Sequence, residues 1–443
     1  VAAPRRRAFG TSAAQAAQNS ADVRDLLRTR LSLTEADLDR VERFQPAGAR
    51  ATVEPKLGWF QTRLELDAVQ LRKIVVRHPA LLLRSVESME SNCDWLQTRL
   101  GLDEAHLRKM VLRLPPLLYL SVEENLAPTL EWLQRRLDLD DAGLRKVVLR
   151  LPPVLGYSVE DNMEPKLEWL QKRLDLDEVQ LKKAVLGRPA LLGYSVEDNM
   201  APKLDWLQTR LDLDDAGLRK LVLTLPGLLG YSVEDNMAPK LDWLQTRLEL
   251  DAAQLKKLVV AQPTLLGYSV DANMAPTLDW LQTRLDLDDA GLRKVVLVKP
   301  QLLNYSVEDN MAPTLEWLQT RLDLDAAQLT KVVLRLPQLL GYSVEANMEP
   351  KLDWLQRRFE LDEAQLRKMV LTLPALLSYS AETNMAPKLA YLEREAGLSR
   401  SELRDRVLRF PQIMSYSLEK RYRPRLEACR AAGVDAEYVL TYV

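Results

Sequence analysis

Nine lysines keep a fixed period in this chain: Lys73, Lys109, Lys146, Lys183, Lys220, Lys257, Lys294, Lys331 and Lys368. The first interval is 36 residues and the other seven are 37. An ammonium on a flexible stem is a mobile point charge suited to phosphate oxygens. Nine at equal spacing make a track for a polyanion; the competing reading is a solvated helix face copied with its repeat. A second basic group stands near the C-terminus, where Arg404, Arg406, Arg409, Arg421, Arg423 and Arg425 fall within a stretch, 394–430, of ten basic and five acidic residues. It could contact the same polyanion, or be the polar cap that a repeat array needs. A third set varies beside a recurrent proline: Arg188, Gln262, Lys299, Gln301 and Gln338. Helical repeats can read bases with such side chains, so these positions could tune target choice. Leu, Ala and Gly at the sister positions fit drift equally well.

Little else in the chain could do chemistry. Two histidines (His78, His106) and two cysteines (Cys93, Cys429) leave no disulfide framework and no zinc set. There is no Gly-rich phosphate loop and no nucleophile elbow, and the many carboxylates recur with the repeat. No catalysis, cofactor or metal is expected. With 61 basic and 63 acidic residues the net charge is -2, which excludes a strongly basic coat-type binder. No apolar run reaches the ~18–20 residues of a membrane span, so no membrane contact is expected.

The elements that must carry these lysines follow from two other series. Ten prolines run from Pro79 to Pro411 and nine tryptophans from Trp59 to Trp354, on the same clock. A period in the ~20–50 residue range signals a solenoid or array rather than separate globular domains. In the unit 138–174, Leu144, Val147, Val148 and Leu151 lie at i, i+3, i+4 and i+7, the stripe of an amphipathic helix. Sister units open with capping boxes at Asp177–Gln180, Asp251–Gln254, Asp325–Gln328 and Asp362–Gln365. Pro152 ends this helix. Ser158 is the next N-cap candidate, and Met163, Leu167, Leu170 and Leu174 stripe a second helix. Pro165 falls inside it, which predicts a kink or a late start. On the helical wheel Lys146 points away from the core stripe of the first helix.

The second helix carries Asp161, Glu164 and Glu168 on one flank, and Lys166 and Arg173 on the other. Stacking would set one repeat's bases against the next repeat's acids, so these charges read as inter-repeat ion pairs. The Trp and Tyr columns could stack on bases. Beside a helical Leu stripe they read more simply as inter-repeat packing.

The repeated pattern Leu-Pro-x-Leu-Leu-Gly-Tyr-Ser-Val-Glu, then Asn-Met-x-Pro-Lys-Leu-x-Trp-Leu, then Leu-x-Leu-Asp…Leu-Arg-Lys-Val-Val resembles the mitochondrial transcription termination factor (mTERF) family over about residues 33–430. The resemblance implies paired helices with a short 3₁₀ turn, curved into a left-handed superhelix. It further implies a protein that binds nucleic acid, DNA or RNA, in mitochondria or plastids, acting on transcription termination, transcript processing or splicing. Two features depart from the family: the repeats are unusually regular, and Trp stands where relatives more often carry Phe.

The expected fold is thus an all-α solenoid of about ten 37-residue, two-helix repeats over residues 21–430. It opens with a degenerate unit near 33–46 and closes with the basic unit 394–430 and a tail, 431–443. Residues 1–20 hold three arginines, many alanines and no acid. That is the composition of an organellar transit peptide and predicts a disordered leader. A monomer is expected. Near-neutral charge leaves open a second reading, a helical-repeat scaffold for other proteins.

Overall fold

The computed structural model describes residues 13–43 and 50–435, and among these every regular element is helical. Residues 1–12 of the expected leader lie outside the described residues. From Ala13 the chain is a helix to Leu31, so the disordered reading does not hold for 13–20. A second helix, Glu35–Glu42, has Thr34 and Asp37 as a capping box. It forms the degenerate opening unit. The tail beyond 435 also lies outside the described residues.

Ten repeats follow the same local plan, and the unit from Asp140 shows its causes. The Asp140 carboxylate accepts the Gly143 N–H at 2.8 Å and starts the first helix, Asp141–Arg150. Where Gln replaces Gly, as at Gln180 and Gln254, the Gln side chain returns a bond to the cap backbone and completes the box. The helix stops at Leu151 because Pro152 has no N–H to donate and its ring opposes another α-turn. Pro152 instead opens a 3₁₀ helix, Pro152–Gly156. Ser158 then accepts the Asp161 N–H at 3.0 Å.

The second helix begins with a π-turn, Val159–Met163, before the α-helix Glu164–Leu174. Met163 N–H donates to Ser158 C=O at 3.1 Å, five residues back. This is the late start that Pro165 predicts, in a form the sequence reading did not specify. The missing N–H of Pro165 falls where the ladder changes from five-residue to four-residue closure, and the wider turn gives its ring room. Asp175 ends the helix in the left-handed region, φ 49°.

Leu144, Val147, Val148, Leu167 and Leu170 are buried. First helices pack on first helices of the following repeat: 141–150 on 178–187 on 215–224, and again 289–298 on 326–335 on 363–372. Contacts divide the chain into two compact units, one ending at Gly230 and one beginning at Tyr231. Each is built from the same repeat.

Candidate nucleic-acid interface

Basic residues recur at three main positions in the repeat, and the structure treats them differently. The arginine near the end of the second helix is committed to its neighbour. Arg136 donates to Glu164 at 2.8 Å and Gln171 at 3.1 Å in the next repeat, and to Glu178 at 2.8 Å at the start of the one after. Arg173 meets Asp205 and Gln208, Arg247 meets Asp279 and Gln282, and Arg321 meets Asp353, Gln356 and Glu363. These are the inter-repeat pairs that the flanks of the helical wheel predict.

The cation one place after the first buried leucine of helix one is committed too, in the other direction. Arg219 donates to the Leu174 carbonyl at 2.7 Å and to Asp175 at 2.6 Å. Lys182 reaches Asp138, Arg293 reaches Glu249 and Arg367 reaches Asp323. Each places positive charge at the carbonyl end of the second helix two repeats back, where the helix dipole favours it. Arg404 belongs to this set: it donates to the Phe359 carbonyl at 2.6 Å. Its side chain is therefore held by the repeat before the preceding one, a role the sequence reading missed.

The next residue in each first helix is the periodic lysine. All nine, Lys73 to Lys368, are exposed. None takes part in an ion pair or a side-chain hydrogen bond among the described residues. Five stand in the unit ending at Gly230 and four in the unit beginning at Tyr231. Where successive first helices pack together within a unit, as along 141–224 and along 289–372, they carry their lysines on neighbouring helices. Between two of them lies a groove of about 560 Å³ whose lining includes Lys331, Arg335, Arg367, Lys368 and Thr372, without a carboxylate.

The other expected site residues are placed less freely. Arg188 turns onto its own repeat and donates to the Tyr194 hydroxyl at 3.0 Å. Gln262 donates to Thr264 at 2.6 Å inside the turn, and Lys299 lies 5.7 Å from the centre of the Tyr305 ring. Gln301 is half-buried, and Gln338 has its Oε1 enclosed without a partner. In the C-terminal unit Arg421 stacks 3.5 Å over Tyr416. Arg423 lies 4.9 Å over Tyr391 and pairs with Glu419 at 2.9 Å. Arg406 and Arg425 are half-buried and Arg409 is exposed. The tryptophans are half-buried rather than fully enclosed. Two of them, Trp59 and Trp132, donate the indole N–H to Glu90 and Glu164 of the next repeat, which fits inter-repeat packing.

One recurrent site gave no signal in the sequence. Lys166 spans 26 residues to donate to the Leu192 carbonyl at 3.1 Å, and to Asn162 at 2.8 Å. Lys203, Lys240, Lys351 and Lys388 do the same to the carbonyls of Leu229, Leu266, Leu377 and Met414. Lys166 is thus a backbone cap across the repeat boundary and not, as expected, half of an ion pair. Burial lowers the pKa of Lys166, Lys240, Lys351 and Lys388 below the ordinary lysine value.

No helix among the described residues is long and apolar enough to cross a membrane. No group of three or more His, Cys, Asp or Glu among them is placed to hold a metal ion. The mTERF family model matches residues 49–202 and 172–432, which together take in nearly all of the repeats. The chain belongs to the mTERF family. No curated protein is similar enough to this mTERF chain to count as a match.

Proposed function

We propose that this mTERF protein is an organellar nucleic-acid-binding protein that regulates gene expression, with the row of lysines on the first helices as its phosphate track. One observation carries the reading. Every periodic lysine is exposed and unpaired, while arginines at neighbouring positions, among them Arg136, Arg173, Arg219, Arg247 and Arg293, are bound to other repeats. Mobile, solvated ammonium groups are what displaces counterions from a phosphate backbone. Packed helices lie ~8–10 Å apart. With one phosphate per ~3.4 Å of rise along a strand, each repeat would advance by about three nucleotides of a duplex strand. Arg409, Arg421, Arg423 and Arg425 extend the basic surface at the C-terminal unit. Residues 1–20 are the candidate import leader, to a mitochondrion or a plastid.

Replacing Lys146, Lys183, Lys220 and Lys257 together with Gln tests the track. Folding should be nearly unchanged. The slope of log K against log salt, measured on random duplex DNA and on single-stranded RNA, should become shallower by about 0.7–0.9 per lost contact. Unchanged affinity and slope on both nucleic acids would return these lysines to a solvated face and favour the protein-scaffold reading.

A further inference from the structure

The lysine that caps the next repeat is not present in every unit. At the same position stand Thr129, Thr277 and Thr314, all buried. In the lysine repeats the ammonium has a recurrent set of partners. Lys351 Nζ donates to Asn347 at 2.8 Å and to the Leu377 carbonyl at 2.8 Å, with the Tyr342 ring centre 5.7 Å away. Lys240 repeats this with Asn236, the Leu266 carbonyl and Tyr231, and Lys388 with Asn384, the Met414 carbonyl and Tyr379. The Thr314 repeat keeps the whole set, as Asn310, the Leu340 carbonyl and Tyr305. It lacks only the lysine.

Where the lysine is absent, Leu340 and Tyr305 open onto a cavity. This cavity, of about 430 Å³, is lined by Thr314, Asn310, Leu340 and Tyr305, with Asp309 and Glu345 also on its wall. The groove at the corresponding place beside Lys166 is lined by that lysine, and Leu192 and Tyr157 do not reach it. Asn310 is exposed, whereas Asn162, Asn236 and Asn347 beside their lysines are half-buried. The other threonine repeats differ in part: Thr277 keeps the same residues, as Asn273, Leu303 and Tyr268. Asn273 beside Thr277 accepts the Ser269 N–H at 3.3 Å, and the Thr129 repeat has Leu120 in place of the tyrosine.

We propose that the cavity beside Thr314 binds the ammonium group of a free aliphatic diamine or polyamine. The Asn310 side-chain oxygen and the Leu340 carbonyl accept its N–H groups, and the Tyr305 ring supplies the cation–π contact. Relative to lysine only the outer two carbons and the nitrogen are missing, so a slender alkylammonium can set its nitrogen where Nζ stands in the sister repeats. Lys299 already lies 5.7 Å from the Tyr305 ring centre, and Asp309 and Glu345 on the cavity wall supply carboxylates for the second ammonium of a diamine. This site is separate from the lysine track, and its test does not depend on nucleic acid.

The test is titration calorimetry on the full chain at constant ionic strength. The probes are 1,4-diaminobutane, n-butylammonium, tetramethylammonium and a short peptide with one lysine and blocked termini. The diamine should fill one site, butylammonium should bind the same site more weakly, and tetramethylammonium, which has no N–H, should not bind. Thr314→Lys should fold, because lysine is native at the sister positions. Its own ammonium should weaken diamine binding by about tenfold or more, the loss expected for charged hydrogen bonds. Lys240→Thr should raise the stoichiometry from one to two. Undiminished binding to Thr314→Lys, equal binding of tetramethylammonium, or no second site in Lys240→Thr would overturn the proposal. A lysine peptide that binds as tightly as the diamine would overturn the assignment to a free amine.

Discussion

Arg136 and Lys146 stand ten residues apart with the same charge, and the structure separates them. Arg136 has three partners in the two following repeats and a side chain only 17% exposed; Lys146 has none and is exposed. Arg136→Ala should therefore cost about 1–2 kcal/mol, since charged hydrogen bonds are lost and three acceptors are stranded. Lys146→Ala should stay within about 0.5 kcal/mol. Urea unfolding of the two variants checks the pair. The division was partly legible in the sequence. An arginine on the flank facing acidic residues announces its pairing, and the wheel places Lys146 outward. The fate of Arg404 and Lys166 was not legible, because their acceptors are backbone carbonyls, which every residue has and no side-chain pattern marks. The two thiols differ in a similar way. Cys93 is fully buried, and burial raises its pKa to about 12. The reactive thiolate is then scarce near pH 8. A thiol reagent should label Cys429 alone in the folded chain, and Cys93 only once urea has unfolded it.

At the scale of elements, the end of each second helix is the most constrained point. Nine non-glycine residues have positive φ, and eight of them close second helices: Glu65, Asp138, Asp175, Asp212, Glu249, Asp286, Asp323 and Glu360. A left-handed residue with a Cβ costs about 1–2 kcal/mol. Gly101 and Gly397 occupy this place in two repeats and relieve it, with φ 59° and 66°. Most of the acids are compensated by a cation from the first helix after next, as Asp175 is by Arg219. Asp286 is the exception. Thr330 stands where that cation would be, and it donates to the Leu285 carbonyl instead. Asp286→Gly should stabilise the protein by roughly 1 kcal/mol, whereas Asp323→Gly should gain less, because the bond to Arg367 is lost. A shift of the urea midpoint for each variant decides. The caps, the proline stops and the helical stripes were readable in advance because they are local. The π-turn was only half readable: Pro165 forbids an ordinary helix, but the choice among late start, kink and wide turn is made by packing.

For the whole molecule, net charge and charge placement are different quantities. The chain carries -2 overall, yet its first helices present unpaired lysines, because the acids are spent on caps and inter-repeat pairs. Removing Arg135, Lys172 and Arg357, exposed cations of the second helices, should leave the salt slope of nucleic-acid binding unchanged. Removing three periodic lysines alters net charge by the same amount and should reduce it. Filter binding across a salt series distinguishes placement from total charge. The regularity that made the architecture readable has a cost of another kind. Arg136, Arg173 and Arg247 each reach a glutamine 35 residues on in the next repeat, and Lys166, Lys203 and Lys240 cap carbonyls at one common offset. A second helix therefore has few means of telling its rightful neighbour from another copy. Departures such as Thr314, Thr330 and Asn304 are among the few address labels. Erasing them should leave each repeat well formed and make docking on the wrong partner, within one chain or between two, nearly isoenergetic with docking on the right one.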